Sequence, residues 1–82
     1  MDWELYSFTV RSKKRKKILL SLKSQKTPTQ IASEVKSSVS HISRTLTEFV
    51  ERGIAKCLTP KQKVGRIYTL TKEGKEIQEK LK

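Results

Sequence analysis

The chain has 82 residues, 34% of them hydrophobic, with 19 Lys and Arg against 8 Asp and Glu for a net charge of +11. That length makes a single domain, residues 1–82, with a modest core, and the single cysteine, Cys57, excludes an internal disulfide and any multi-cysteine zinc site. No apolar run approaches a membrane span, and the acidic start Met1-Asp2-Trp3-Glu4 is unlike a signal peptide, so a cytoplasmic, nucleoid-associated protein without membrane contact is expected.

Residues 2–10 form an N-terminal packing segment that holds three of the five aromatics. Trp3, Tyr6 and Val10 have helical spacing, whereas Trp3, Leu5, Phe8 and Val10 also fit an extended strand; a short helix is favoured. Its apolar side chains must pack on the domain's own core or on a second subunit. Arg11 to Lys17 follows, six basic residues in seven. With Ser12 as cap and Ile18, Leu19 and Leu22 as an apolar stripe, it predicts a helix over about 12–24. Its charges point in several directions, so they cannot all meet one ligand. A solvated helix start and a nuclear-localisation signal are the other readings of such a run.

Thr27-Pro28-Thr29-Gln30 is a helix start. Thr27 stands at the N-cap, Pro28 at the first helical position, and Gln30 completes a capping box. Ile31, Ala32 and Val35 make the buried stripe of a helix from 28 to about 35. Lys36-Ser37 separates it from a second helix, 38–52, capped by Ser38 and closed by Gly53 in a left-handed conformation. In that helix Val39, Ile42, Leu46, Phe49 and Val50 form one apolar stripe. The opposite face shows Ser40, His41, Ser43, Arg44 and Thr47, and the acids Glu48 and Glu51 come only in the second half. Two short helices joined by a tight turn make a helix-turn-helix, here residues 28–52. A helix start that is small, polar and cationic suits a DNA major groove.

After Gly53 the pattern turns to strands, with 54–58 and 66–71 flanking the basic, turn-prone loop from Thr59 to Gly65. Residues 54–71 read as the wing of a winged helix, with Lys61, Lys63 and Arg66 placed to reach phosphates or an adjacent minor groove. Thr71 caps a last helix, 72–82, whose acids and lysines nearly balance and whose Ile77 and Leu81 form a thin stripe. The fold class is therefore α+β and mostly helical: a winged helix-turn-helix with a two-stranded wing and a short C-terminal helix.

Charge is unevenly spread. No acid occurs between Leu5 and Ser33 or between Arg52 and Lys72, windows that carry eight and six Lys or Arg. This is the footprint of a polyanion binder. The expected DNA-binding residues are Thr29, Gln30, Ser38, Ser40, His41, Ser43, Arg44, Thr47, Lys61, Lys63 and Arg66. Arg44 can pair bidentately with guanine O6 and N7 or clamp a phosphate. Ser40, Ser43 and Thr47 can donate to bases or phosphates, and Ser43 can instead satisfy the helix backbone. Thr29 and Gln30 lie at a helix N-terminus, which favours phosphate.

The segments Ile18-Leu-Leu-Ser-Leu22, Thr27-Pro-Thr-Gln-Ile-Ala32, Ser40-His-Ile-Ser-Arg-Thr-Leu46, Glu51-Arg-Gly-Ile54, Gly65-Arg-Ile-Tyr-Thr-Leu-Thr71 and Glu73-Gly-Lys75 follow one another in a telling order. That order and spacing resembles the winged-helix transcriptional regulators of the MarR/ArsR kind found in prokaryotes, over roughly residues 12–75. The resemblance implies sequence-specific binding of double-stranded DNA, usually as a homodimer on a two-fold-symmetric site. Here a homodimer would use residues 2–10 and 72–82. In such regulators Gly and an apolar residue commonly precede the recognition helix. Lys36 and Ser37 stand there in this chain, so a looser or reshaped turn is expected. Cys57 and His41 alone cannot form the metal site of the metal-sensing branch, so no metal and no cofactor is expected. There is no paired-carboxylate site, no activated nucleophile and no phosphate-cradling glycine loop, so an enzyme is not expected. A protein–protein adaptor and a less specific RNA- or chromatin-binding domain are the alternatives, and an adaptor has no need of the charge.

Overall fold

The computed structural model describes residues 2–82. Five helices and two strands run in the order α1 (Trp3–Val10), α2 (Lys13–Ser21), α3 (Pro28–Val35), α4 (Val39–Glu51), β1 (Ala55–Cys57), β2 (Tyr68–Leu70) and α5 (Lys72–Leu81). Each helix starts on a side chain that accepts a backbone N–H: Asp2, Ser12, Thr27, Ser38 and Thr71 in turn. Such caps are worth about 1 kcal/mol each, a useful share of the stability of so small a domain. The expected capping box is present, with the Gln30 side-chain carbonyl accepting from the Thr27 N–H at 2.9 Å.

The strands pair antiparallel with Lys56 opposite Thr69. They are shorter than the 54–58 and 66–71 read from sequence, although single hydrogen bonds continue the pairing at either end, from Leu58 N–H to Ile67 C=O at 2.7 Å and from Thr71 N–H to Ile54 C=O at 3.0 Å. A third element joins them: Lys26 bridges Tyr68, with Lys26 N–H donating to Tyr68 C=O at 3.1 Å and Tyr68 N–H donating to Lys26 C=O at 2.8 Å. The residue before the N-cap of α3 is thereby tied to the wing. A one-residue strand has no alternation, so it left no signal in the sequence.

The core gathers Phe8, Ile18, Leu19, Leu22, Ile31, Ala32, Ile42, Leu46, Phe49, Ile54, Tyr68, Leu70 and Ile77. Two expectations need correction. In α4 the buried set is Ile42, Thr45, Leu46 and Phe49, while Val39 and Val50 are 45% and 38% exposed. The spacing i, i+3, i+4, i+7 is the tighter stripe, and Thr45 can enter it because its hydroxyl donates to the His41 carbonyl at 3.1 Å. The N-terminal segment is a helix, but Phe8 and Thr9 are the buried pair and Trp3 and Val10 stay exposed. Phe8 meets Phe49 edge to face, with ring centroids 6.3 Å apart.

The end of α4 fixes the wing. Gly53 is left-handed at φ 77°, its N–H donates to Val50 C=O at 3.1 Å, and Ile54 N–H donates to Phe49 C=O at 2.8 Å. This is the paired closure that a glycine after a helix provides, with Ile54 and Phe49 both buried beside it. Thr71 then holds the other side: its N–H donates to Ile54 C=O at 3.0 Å, and its hydroxyl lies 2.6 Å from Gly53 C=O and 3.0 Å from Ile54 C=O. The same hydroxyl accepts from the Gly74 N–H at 3.1 Å and so caps α5. At the far side of α5, buried Gln78 donates to the carbonyls of Leu19 and Leu22 at 2.9 and 3.2 Å and satisfies the end of α2.

Gly74 packs so closely that a Cβ there would overlap the Ile54 carbonyl oxygen. Gly74→Ala is therefore expected to lower unfolding stability by about 1–3 kcal/mol despite alanine's better helix propensity, read as a lower urea midpoint. An unchanged or raised midpoint would show that α5 does not sit on this carbonyl.

Candidate nucleic-acid interface

With Ile42, Thr45, Leu46 and Phe49 turned inward, steps of about 100° per residue place Ser40, Arg44 and Thr47 on the opposite side of α4. All three are exposed, and Ser43 is half-buried beside them. The Arg44 guanidinium makes no hydrogen bond or ion pair among the described residues. Thr47 differs from expectation in one respect. Its hydroxyl donates to the Ser43 carbonyl at 2.9 Å, so the backbone-satisfying role considered for Ser43 falls to Thr47. Thr47 then offers an acceptor oxygen and a methyl group.

Between α4 and the wing lies a cleft lined by Pro28, Thr29, Val39, Ser43 and Thr47 on one wall and by Lys63, Val64, Gly65, Arg66 and Tyr68 on the other. It brings together Thr29, Ser43, Thr47, Lys63 and Arg66 from three separate stretches of sequence. The wing is shaped by local bonds. Thr59 Oγ1 accepts from the Ile67 N–H at 3.0 Å, Gly65 is left-handed at φ 70°, and Arg66 Nε donates to the Gln62 carbonyl at 2.5 Å. Arg66 is thus anchored at Nε with its two terminal nitrogens left over and Lys63 is unpaired among the described residues, while Lys61 is exposed outside the cleft.

Three expected residues also have local settings. Gln30 spends its side-chain carbonyl on the capping box, and Ser38 Oγ accepts the His41 N–H at 3.1 Å. His41 is half-buried, and its Nε2 is shielded from solvent without a hydrogen-bond partner among the described residues. Position 41 shares a flank with Thr45 and Glu48, and Glu48 lies 3.9 Å from Arg15 of α2. The imidazole therefore lies on the side of the helix that faces the body of the domain.

The turn before α4 is not loose. Lys36 adopts the left-handed conformation itself, at φ 55° and ψ 55°, and both its N–H and that of Ser37 donate to the Ala32 carbonyl, the latter at 3.1 Å. The turn keeps the geometry a glycine would give and strains a lysine backbone to do so. Lys14 Nζ donates to Ser37 Oγ at 2.9 Å, which ties the basic run of α2 to this turn. Neither feature was visible in the residues, since lysine carries no conformational signature. Lys36→Gly should raise stability by up to about 1 kcal/mol, the left-handed penalty less the entropy of a freer unfolded chain. A lower denaturation midpoint for Lys36→Gly would contradict this turn geometry.

Acids stay away from the exposed ridge. Glu34 binds Lys26 Nζ at 2.7 Å, Glu48 faces Arg15, and Glu51 stands only at the last turn. Among the described residues no cluster of His, Cys, Asp and Glu could hold a metal ion, and no helix is long and apolar enough to cross a membrane.

No protein-family profile matches the chain, and no curated protein matches it by sequence. Solved structures do match. The reduced form of MarR from E. coli is 25% identical with a TM-score of 0.77 over 94% of this chain and 59% of that one. A MarR-family transcription regulator is 26% identical with a TM-score of 0.74 over 95% of this chain and 56% of that one. A mutant MarR from E. coli complexed with operator DNA is 22% identical with a TM-score of 0.75 over 95% of this chain and 61% of that one. The chain spans less than two thirds of the length of each of these proteins, which are regulators rather than enzymes. It has the winged-helix fold of MarR-type regulators.

Proposed function

We propose that this domain is a sequence-specific, double-stranded-DNA-binding transcription regulator that lays α4 in the major groove and rests its wing on phosphates or the adjacent minor groove. The observation that carries this reading is the acid-free cleft in which Thr29, Ser43 and Thr47 face Lys63 and Arg66. Arg44 and Ser40 reach base edges from the exposed ridge, and Thr47 offers its methyl to thymine. Lys61, Lys63 and Arg66 neutralise phosphates. Thr29, at the start of α3, presents its own N–H and a hydroxyl to the backbone. Ser38 and Gln30 serve by fixing the two helix starts, and His41 by packing.

The fold likeness to a regulator solved on operator DNA supports the same reading. So does the net charge of +11, which a protein–protein adaptor would not need. A homodimer through residues 2–10 and 72–82 is part of the proposal. Trp3 is 58% exposed on α1, stands edge to face with Tyr6 at 5.6 Å, and has Lys80 Nζ of α5 5.8 Å from its ring. Apolar surface is thereby left open where α1 meets α5. A chromosomal target places the protein in the cytoplasm, on the nucleoid.

The test is duplex-DNA affinity across a salt series. A regulator making ~6–10 phosphate contacts loses about 10³–10⁵ in affinity between about 50 and 200 mM salt, and an affinity that ignores salt would sink the proposal. A second comparison separates the roles. Arg44→Ala should flatten sequence preference at a cost of about 1–3 kcal/mol on the preferred site, whereas Lys63→Ala should weaken all sequences alike. Equal loss of preference from both variants would refute that division.

A further inference from the structure

The basic run of α2 is not absorbed by this interface, and the structure divides it. Arg15 is turned inward: Nη1 donates to the Phe8 carbonyl at 3.0 Å, Cζ lies 3.9 Å from the Phe8 ring centroid, and Nη2 is 3.9 Å from Glu48. Its charge is spent on packing. Lys14 points the other way and binds Ser37, the residue before the N-cap of α4. Lys17, also exposed, stands about 60° around α2 from Lys14, whereas Lys13 stands about 100° from Lys14 and about 60° from Lys16. Lys17 and Lys36 line one cleft where α2 meets the end of α3. Lys16, by contrast, lies about 160° around the helix from Lys14.

The geometry points to a second strip of phosphate contacts, Lys14, Lys17 and Lys36, beside the first turn of α4. It lies at the turn end of the helix-turn-helix, while the wing engages the cleft on the other flank of α4. The occupant is the sugar-phosphate backbone of the duplex that α4 reads, so the inference rests on the proposed function. Three observations support that occupant. Lys14 is bonded to the turn from which α4 starts, no acid lies between Leu5 and Ser33, and Glu34, the acid in the cleft beside Lys17 and Lys36, is neutralised by Lys26 at 2.7 Å. Lysine ammoniums on flexible stems suit phosphates and carry no base readout. The domain would then hold the backbone on both sides of its recognition helix.

The test compares wild type with Lys17→Gln/Lys36→Gln and with Lys16→Gln on a duplex selected for binding. The double variant should reduce the slope of log affinity against log salt by about 1.8, or ~0.9 for each lost contact, and leave the ranking of sequences unchanged. Hydroxyl-radical protection should shrink on the flank away from the wing. Lys16→Gln should change neither slope nor footprint. An unchanged slope in the double variant, or the same loss per charge from Lys16→Gln, would overturn the strip. In both cases wild-type salt dependence and the Arg44→Ala effect would still report on the main proposal separately.

Discussion

Ile54 is the joint on which the arrangement depends. Its N–H closes α4 onto Phe49, its side chain is fully buried, and its carbonyl receives the Thr71 N–H while Gly74 packs against it. One residue therefore fixes the end of α4, the start of the wing and the seat of α5. Two conditions make this workable. Gly53 supplies the left-handed turn, and Gly74 leaves room for a carbonyl where a side chain would collide. A hairpin this short has little stability of its own. Its direction relative to α4 is set by this junction and by the Lys26–Tyr68 bridge at its other edge.

The second organising feature is the sorting of charge. The ring of Phe8 lies between two guanidiniums, Arg15 and Arg52, each with Cζ 3.9 Å from its centroid; at that distance they can avoid each other only on opposite faces. Arg15 also faces Glu48. Basic and acidic groups that would compete at the surface are thus used to pack α1 and α2 against α4. What remains outside is nearly all cationic or neutral along the first turns of α4, the wing tip and the exposed side of α2. A polyanion would meet little repulsion there, which is the physical basis of the functional reading.

Most of the fold was legible because it is written in local chemistry. The capping box at Thr27 and Gln30, the cap at Ser38 and the left-handed Gly53 each depend on residues within a few positions, and the structure has all of them. What sequence could not show was long-range or conformationally silent. Gln78 bonds carbonyls in α2, Lys26 bridges β2, and Lys36 takes a glycine's conformation. Helical periodicity alone also makes the apolar stripe of α4 too wide. Val39 and Val50 fit the helical period but fall at its margins, and Val39 lines the cleft beside the wing instead. For the site, exposure of Ser40, Arg44 and the wing lysines followed from the pattern. The shielding of the His41 Nε2 did not, since it depends on long-range packing.

The central claim is that the exposed ridge of α4 reads bases in the major groove. Methylation interference on a duplex selected from a random pool tests it directly. The account predicts that methylating guanine N7, which lies in the major groove, blocks binding at a few clustered guanines, and that the block at one of them disappears in Arg44→Ala. Interference confined to adenine N3 in the minor groove, or binding indifferent to N7 methylation throughout a guanine-containing site, would contradict it.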